Sequence, residues 1–438
     1  MKCKIQIQQK QATLKAKRLI QYQNCHLIEA HGRSGQTYYL IFHKARYINT
    51  LKIADLNPNS FIATAIKHGL IVTSPHHAID SLIRDQIFPC LPLKKMIQTM
   101  SQNTKQLEQI IILSYFDHAI TQEKIINLFI ECFRQHRRDG QLQLAFQAIS
   151  TLKHYQPDNQ FAHDILATLT FQNYQLEQKE IFSYNPLDLD TLETIYSSDG
   201  HELERSILAT TQLLNGFSDH YWQLFLSTLQ PFPAKIRAKT MLELLRQQPN
   251  LIDSKAFSDT LLKNADSKSY LKTVLTEKFP HHVQAKPFLK HLAQVDQATH
   301  LLIFNQYQVN FIKRIDSFTL EEKEKATRII IESAFKDHSI DQILDWLAQF
   351  NDRFSFTNQL EMIKQLEENP DQQAKLADIY QKFNYLSGAI DCLKWEIELD
   401  PTNETLFKKL IELLKKTDQD EEADAYQEQR IHQMKYSN

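Results

Sequence analysis

Acidic residues and histidines are the side chains of this chain that could carry out acid–base chemistry. Five carboxylates lie close together in the sequence, at Asp188, Asp190, Glu193, Glu202 and Glu204. Paired carboxylates can act as a general acid and a general base. These five lie in polar segments where helices are expected to begin, and the helix dipole favours negative charge there without any catalytic role. We therefore expect solvated helix starts rather than a catalytic pair.

The histidine doublets at His76-His77 and His281-His282 raise the question of metal binding. Each doublet follows a proline, which predicts that each begins a helix. Ligands on one helix need a spacing of three or four residues, and His76 and His77 have that spacing to Asp80. Neither a cysteine nor a third ligand accompanies them. The pattern predicts surface histidines and no metal.

Sequence motifs for nucleotide, phosphate or serine-nucleophile chemistry are missing. The chain contains no GxGxxG, GxxxxGK[ST], GxSxG or HExxH. It has 7 glycines in 438 residues, whereas an average protein has about 7% glycine. Loops that cradle phosphate need glycine, because the backbone must approach the ligand closely. The sequence therefore predicts a largely helical protein with no catalytic residue and no cofactor.

The first 92 residues read as a small β-rich domain. Alternation of Cys3, Ile5 and Ile7 with polar residues predicts a half-buried strand. Further strands are predicted over 12–20, 25–31, 37–43 and 47–53, followed by helices over 61–68 and from Ser74-Pro75 to about Ile87. Gly32-Arg33-Ser34-Gly35 predicts a hairpin turn. Pro89 and Pro92 favour a domain boundary here, which gives domains at 1–92 and 93–438.

The charge of the chain is divided unevenly. Residues 1–100 carry 14 Lys and Arg against 4 Asp and Glu, a balance of +10, and the rest of the chain carries −12. Such asymmetry indicates contact with nucleic acid or another anionic surface. The alternative is that the basic residues are solvated or dock on the acidic part of the same chain. The predicted basic surface comprises Lys4, Lys15, Lys17, Arg33, Lys44 and Arg46.

Tyrosines are interleaved with these basic residues, at Tyr22, Tyr38, Tyr39 and Tyr47. Basic side chains with aromatic rings on a small sheet could bind single-stranded nucleic acid by phosphate pairing and base stacking. No RNP-type motif and no basic recognition helix accompanies them. We expect the tyrosines to be core residues of the sheet and cross-strand partners.

Residues 370–401 carry the clearest structural motif. Leu376, Ala377 and Tyr380 fit a first helix, Ala389 and Leu393 fit a second, and Pro401 closes the segment. This pattern resembles a tetratricopeptide repeat, a helix–turn–helix unit of about 34 residues. The alanines must be small where the two helices cross. Two features depart from the family pattern: Gln373 stands at the tryptophan site, and Ala377 stands at the usual glycine.

Two neighbouring stretches share the pattern. Residues 126–171 contain a second match, in which Ala145 and Pro157 are 12 positions apart, as are Ala389 and Pro401. Residues after Pro401 read as a third, polar capping unit. The segment 175–365 is predicted to be helical with degenerate repeats, including helices over 221–229, 236–245, 288–302, 320–335 and 340–350 and an irregular loop at 184–188.

The predicted fold is therefore an α+β chain, with a small antiparallel β-rich N-terminal domain followed by a mostly α-helical solenoid, which the resemblance makes tetratricopeptide-like. In that family the first helices line a concave face that holds a peptide. By resemblance, the peptide- or protein-binding residues are Asn127, Arg134, Arg137, Phe161, Asp164, Phe171, Asp378, Gln381, Lys408 and Lys415. Arginine can grip a carboxylate with two hydrogen bonds. The alternative is a solvated helix face.

The predicted function is a non-catalytic scaffold or adaptor that binds a protein or peptide partner. Two alternatives stay open: a regulator that binds nucleic acid through residues 1–90, and an enzyme with an unrecognised N-terminal site. The five cysteines form no CxxC pair, and no apolar run reaches 18 residues. These features predict a cytoplasmic protein without a membrane span. The Lys-, Ile- and Gln-rich composition is typical of a bacterial protein from an AT-rich genome.

Overall fold

A seven-stranded sheet forms the first part of the computed structural model. The structure describes residues 1–102, 104–172, 174, 189–197, 200–367 and 369–436. The strands are β1 Lys2–Ile7, β2 Lys10–Tyr22, β3 Cys25–His31, β4 Thr37–His43, β5 Arg46–Ile53, β6 Leu70–Thr73 and β7 Ile87–Cys90. Their order is β5-β4-β3-β2-β1-β7, and β6 pairs with β2. The predicted strands 25–31 and 37–43 are confirmed residue for residue.

The sheet is mainly antiparallel, as predicted. Strands β1 to β5 pair antiparallel with their neighbours in sequence. Strand β7 joins β1 in parallel, with Ile5 opposite Phe88. The predicted second helix is wrong at both ends, because it spans only His77–Ile83 and leaves Pro75 outside, while Ile87 begins β7. Strands β6 and β7 are too short for alternation to reveal them.

Helices follow and flank the sheet. In residues 1–264 they are α1 Phe61–His68, α2 His77–Ile83, α3 Leu93–Ser101, α4 Gln106–Ser114, α5 Gln122–Arg138, α6 Leu142–Tyr155, α7 Gln160–Leu166, α8 Leu189–Tyr196, α9 Glu202–Asn215, α10 Asp219–Leu229, α11 Ala234–Gln247 and α12 Lys255–Asn264. Helix α1 has the predicted bounds. The predicted loop at 184–188, with Asp188, lies outside the described residues.

Both faces of the central strands are buried. Along β3, Cys25 and Leu27 face one core, which also contains residues of α3 to α6. Ile28 and Ala30 face a second core, which contains residues of α2 together with Ile207 of α9. Alternate residues of a strand point to opposite faces. The central strands are therefore buried on both sides, whereas β1 is half-buried as predicted, with Cys3 and Ile5 buried and the polar residues between them exposed.

The remaining helices belong to residues 265–438. They are α13 Ser267–Val274, α14 Ala285–Gln294, α15 Gln297–Gln306, α16 Gln308–Ile315, α17 Leu320–Ala334, α18 Ile340–Leu347, α19 Thr357–Glu367, α20 Gln373–Lys382, α21 Leu386–Leu399, α22 Glu404–Lys416 and α23 Asp420–Tyr436. The predicted single helix at 288–302 is wrong. Asp296 interrupts it and caps α15, because its side chain accepts a hydrogen bond from the Thr299 N–H.

The chain forms two compact units, Met1–Asn264 and Ala265–Asn438. This division falls inside the segment that the sequence treats as one helical domain. The predicted boundary between residues 92 and 93 stays a prediction. Among the described residues, no helix is both long enough and apolar enough to cross a membrane.

The helix pair α20–α21 has the packing that its sequence predicts. Ala377 and Ala389 are fully buried, and Tyr380 and Leu393 are buried beside them. Small side chains at a helix crossing allow the two backbones to approach closely. Helix α21 packs in turn on α22, and α22 on α23. Helices α20 to α23 therefore pack one on the next in chain order.

Gly388 in α21 leaves room for the ring of Tyr385. A Cβ atom at position 388 would lie 2.3 Å from the Tyr385 ring, well inside van der Waals contact. We predict that Gly388→Ala destabilises the second unit by about 1–3 kcal/mol through overpacking, offset in part by the better helix propensity of alanine. The effect is measured by denaturant unfolding that is monitored by hydrogen exchange over residues 373–416.

The matched control is Ser387→Ala, which changes an exposed residue of the same helix turn. Tyr385→Ala removes the clash but also the ring contacts of Tyr385 with Phe335 and Tyr380, so the test is that Gly388→Ala costs little stability in the Tyr385→Ala background. A Gly388→Ala variant as stable as Ser387→Ala would contradict the close contact with the Tyr385 ring.

Candidate functional site

Helices α5 and α7 bring together part of the predicted binding face of the first unit. The guanidinium carbon of Arg134 lies over the Phe161 ring, 5.8 Å from its centroid. A cation over an aromatic face is stabilised by the ring quadrupole. Asn127, Arg137 and Asp164 are exposed on the same two helices. The structure therefore leaves one ring of the face half-buried and its polar residues open to solvent.

Phe171 does not belong to this face. Its side chain is 3% exposed and packs against Phe133 and Phe146, with ring centroids 6.1 and 6.0 Å away. The prediction assumed a helix that continues through position 171. Helix α7 ends at Leu166, and the turns that follow carry Phe171 into the core.

Helices α20 and α22 bring together the predicted residues of the second unit. Asp378 Oδ1 lies 2.8 Å from Lys409 Nζ, which joins the two helices across their exposed surfaces. Lys408 is paired with Glu404 at 2.7 Å, and Lys415 is exposed. An exposed ion pair contributes only about 0–1 kcal/mol. Its value here is geometric, because it shows that the first helices of two successive pairs are neighbours.

Gln381 is the least satisfied polar residue of this group. Its Nε2 atom is buried and has no hydrogen-bond partner among the described residues. A buried amide without a partner costs roughly 1–3 kcal/mol.

The six predicted basic residues are all exposed, but they do not share one surface. Lys4 and Lys15 lie on β1 and β2, and Arg33 lies in the turn at the start of β4. Lys44 and Arg46 lie at the other end of β4, where Lys44 Nζ is 3.6 Å from Glu108. The sequence could not show that these residues lie at opposite ends of the sheet, because the direction and register of a strand are set by its pairing with other strands. Tyr38 and Tyr39 are buried, as expected of core tyrosines.

A basic cleft of about 880 Å³ opens where the edge of β2 passes from β1 to β6. Lys2 and Lys15 line it from directly opposite positions of the β1–β2 pair. Lys17, at the β-bulge of β2, and Lys239 of α11 also line it. None of these four lysines has an acidic partner within 4 Å in the described part of the chain.

Like charges directly opposite each other in an antiparallel pair destabilise the sheet. The cleft also contains Arg84 and Arg246, but these are neutralised by Asp80 and Glu243. Asp85 also lines the cleft, but the four lysines outnumber it, so the net charge of the lining is positive. Lys239 is the cleft residue that sequence reasoning missed, because it lies more than two hundred positions from Lys2 and in a helix with no distinctive pattern.

His76 and His77 are buried rather than exposed, which corrects the sequence prediction. His76 caps α2, as the preceding proline indicated, by accepting the Ala78 N–H at 3.1 Å. The two rings stack with centroids 4.4 Å apart. His76 Nε2 is 2.9 Å from Thr210 Oγ1, and the His77 N–H donates to Thr240 Oγ1 at 3.0 Å. The doublet therefore ties α2 to α9 and α11.

His281 and His282 do not begin a helix. Helix α14 starts at Ala285, after both of them. Pro280 precedes them but lies in irregular backbone, so the proline marked a loop rather than a first helical turn.

His77 and Ser206 form a contact that resembles the pairing of a nucleophile with its base. His77 Nε2 lies 2.6 Å from Ser206 Oγ and 3.3 Å from Thr228 Oγ1. Burial lowers the pKa of His77 to about 3, so the ring is a weak base near neutral pH. Its Nδ1 has no partner among the described residues, so no carboxylate orients it. Ser206 is also buried. The contact serves packing between α2 and α9.

Glu204 is buried in the first turn of α9, although the helix start itself is as expected. Its Oε1 lies 3.2 Å from His26 Nε2 of β3. Burial raises the pKa of the Glu204 carboxyl, but the adjacent His26 and the backbone N–H of Glu204 outweigh burial, and the net shift is downward. No group of three or more His, Cys, Asp or Glu side chains in the described residues is arranged to hold a metal ion.

Comparison with protein-family models finds no match, and comparison with curated protein sequences finds none either. Function must therefore be argued from the surfaces described above.

The buried His77 predicts a specific dependence of stability on pH. Its pKa is 6.5 in the unfolded chain and about 3 in the fold. Between these values the unfolded state binds the extra proton, so the free energy of unfolding falls as pH is lowered, by about 1.4 kcal/mol per pH unit for this group. We predict that His77→Gln makes the free energy of unfolding depend less steeply on pH in this range, by the amount that corresponds to about one proton.

Trp222 fluorescence reports the first unit when Trp346 and Trp395 are replaced by Phe, and unfolding curves between pH 7.5 and pH 4.5 give the slope. His282→Gln, which changes an exposed histidine, is the matched control and should leave the slope unchanged. If the free energy of unfolding fell equally steeply with pH in wild type and in His77→Gln, His77 would be protonated in the folded state, and the prediction would be wrong.

Proposed function

We propose that this protein is a non-catalytic scaffold whose tetratricopeptide-like helix pairs bind a protein or peptide partner. The observation that supports this most directly is the Asp378–Lys409 ion pair at 2.8 Å between α20 and α22. Neighbouring first helices are the geometry that presents a binding face in tetratricopeptide-like proteins. The Arg134–Phe161 contact between α5 and α7 supports the same arrangement in the first unit.

The charges of the α20–α22 surface indicate the chemistry of the partner. Lys408, Lys409 and Lys415 project from α22, opposed by Asp378 on α20 and by Glu404. The partner segment is therefore mixed in charge, with acidic groups toward α22. Gln381 adds an amide donor that lacks an internal partner.

A peptide array probed with the full chain, followed by calorimetry on selected peptides, tests this proposal. The exchange Asp378→Lys with Lys409→Asp preserves an ion pair while reversing the pattern of charge. Together with Lys408→Glu and Lys415→Glu, it should weaken binding at least tenfold, which corresponds to about 1.4 kcal/mol.

The matched control is Lys286→Glu with Lys290→Glu, which changes exposed residues of α14 and shifts the net charge by the same amount and in the same direction. Equal losses in both variants would show that long-range charge, rather than this face, carries binding. Peptides that bind both variants as tightly as wild type would refute the proposed face.

A second candidate function is favoured by the basic cleft. We propose that it binds a phosphodiester chain, as the alternative regulator hypothesis requires. Lys2 and Lys15 are directly opposed without an acidic partner among the described residues, and Lys17 and Lys239 face the same cleft. An anion that bridges the lysines removes their mutual repulsion, and phosphate contact releases counterions.

Fluorescence anisotropy of the full chain with a labelled single-stranded oligonucleotide, over a salt series, tests this function. Each lost phosphate contact lowers the slope of log affinity against log salt by about 0.7 for a single strand. Lys15→Gln with Lys239→Gln should therefore reduce the slope by roughly 1.4. Lys94→Gln with Lys95→Gln, a pair of exposed lysines on α3, is the matched control. Absence of binding at low salt would reject the function.

A further inference from the structure

A second cavity of the first unit differs from the basic cleft in both charge and lining. Its volume is about 380 Å³, and it opens between the end of β2, the start of α1 and the helices α4 to α6. We call it the Asp117 pocket, after the one acidic residue among the described residues of its wall. No Lys or Arg is among the described residues that line it. This is unusual in a region where cations outnumber acids, since residues 1–100 carry a balance of +10.

The histidines of the pocket do not neutralise this acid. His118 and His154 line the wall, and part of each ring faces solvent. Burial lowers the pKa of His118, which the charge of Asp117 only partly opposes. Burial also lowers the pKa of His154, and Lys153 lowers it further. Both imidazoles are therefore mainly neutral at pH 7, and Asp117 leaves the pocket with a net negative charge.

Aromatic rings form two sides of the pocket. Tyr22 and Phe61 pack with centroids 5.7 Å apart and planes tilted by 59°. Phe129 and Tyr155 pack with centroids 5.8 Å apart and planes tilted by 42°. Tyr22, Phe61 and Tyr155 are only half-buried, so part of each ring faces the cavity. Aromatic faces attract cations, most strongly when several rings surround them.

The structural role of Asp117 explains its position but not its charge. Its Oδ2 accepts the Phe61 N–H at 2.5 Å, at the start of α1. That helix already has an N-cap, because Ser60 Oγ accepts the Ala63 N–H at 3.2 Å. A neutral amide oxygen would also accept the Phe61 N–H, although less strongly than a carboxylate does. The carboxylate is also partly desolvated, and burial raises the pKa of Asp117 despite its backbone hydrogen bonds. A bound cation would offset the free energy that desolvation of the carboxylate costs.

We propose that the Asp117 pocket binds an alkylammonium cation, with the Asp117 carboxylate as counter-ion and the rings of Tyr22, Phe61 and Tyr155 around the ammonium group. The site is independent of the helix face and of the basic cleft. The same chemistry is offered by a small quaternary amine and by the side chain of a lysine in a polypeptide, and the size of the cavity admits either.

Calorimetry and NMR titration of the full chain test the site with three probes. Choline chloride represents the small amine, and N-acetyl-lysine methylamide represents the polypeptide side chain. The third probe, 3,3-dimethyl-1-butanol, has the shape of choline without its charge. We expect choline or the lysine probe to bind with a dissociation constant of about 1 mM or lower, and the alcohol to bind at least tenfold more weakly. The amine that binds more tightly shows whether the natural ligand is a small quaternary amine or a lysine side chain.

Asp117→Asn removes the charge and keeps an acceptor for the Phe61 N–H, so it should weaken amine binding at least tenfold without unfolding α1. Tyr155→Leu provides a second variant that removes a ring and keeps the charge, and it should also weaken binding. Asp55→Asn, at an exposed acid of the same unit, is the control that leaves binding unchanged. Equal binding of choline and the alcohol, unchanged binding by Asp117→Asn, or no binding of either amine would overturn the proposal.

Discussion

The pairing of β2 with three other strands is the constraint on which the first unit depends. This strand pairs with β3 along one edge, and with β1 and then β6 along the other. A bulge at Lys17 adds one residue, so that Ala16 before it and Leu19 after it face the same core. Ile20 then faces the opposite core. Without the bulge, one half of the strand would expose its apolar residues.

The candidate binding sites lie where this buried arrangement ends. The basic cleft occupies the gap in which β2 changes partners, and polar residues there are not covered by helices. The Asp117 pocket occupies the other end of β2, where Tyr22 meets the start of α1. In both places the backbone is held by strand pairing or by a helix cap, which fixes the side chains that line the cavity. The exposed lysines of the basic cleft carry unpaired charge at little cost to folding, because water reaches them, whereas the carboxylate of Asp117 is partly desolvated.

Buried polar residues have the opposite role. His76 and His77 would be expected on a surface by residue type, yet their rings are enclosed between α2, α9 and α11. Their hydroxyl partners replace water, and a satisfied buried polar contact fixes which helix meets which. Glu204 with His26 acts similarly between α9 and β3. These contacts join segments more than one hundred residues apart and leave no trace in local sequence patterns.

The sequence alone determined the elements with strong local signals. Strands β3 and β4 and helix α1 have the predicted bounds, and the small residues Ala377 and Ala389 are buried as predicted. Periodicity, turn residues and caps act over a few positions, so they can be read directly from the chain.

Only the tertiary structure decided which faces are covered and which distant residues meet. It placed Phe171 in the core, separated Lys44 from Lys15 along the sheet, and brought Lys239 to the same cleft as Lys2. The physical reason is that burial and charge pairing depend on contacts between distant segments, whose register and packing are fixed by the whole fold. The sequence therefore determined the architecture of individual segments, whereas the binding sites exist only in the folded chain.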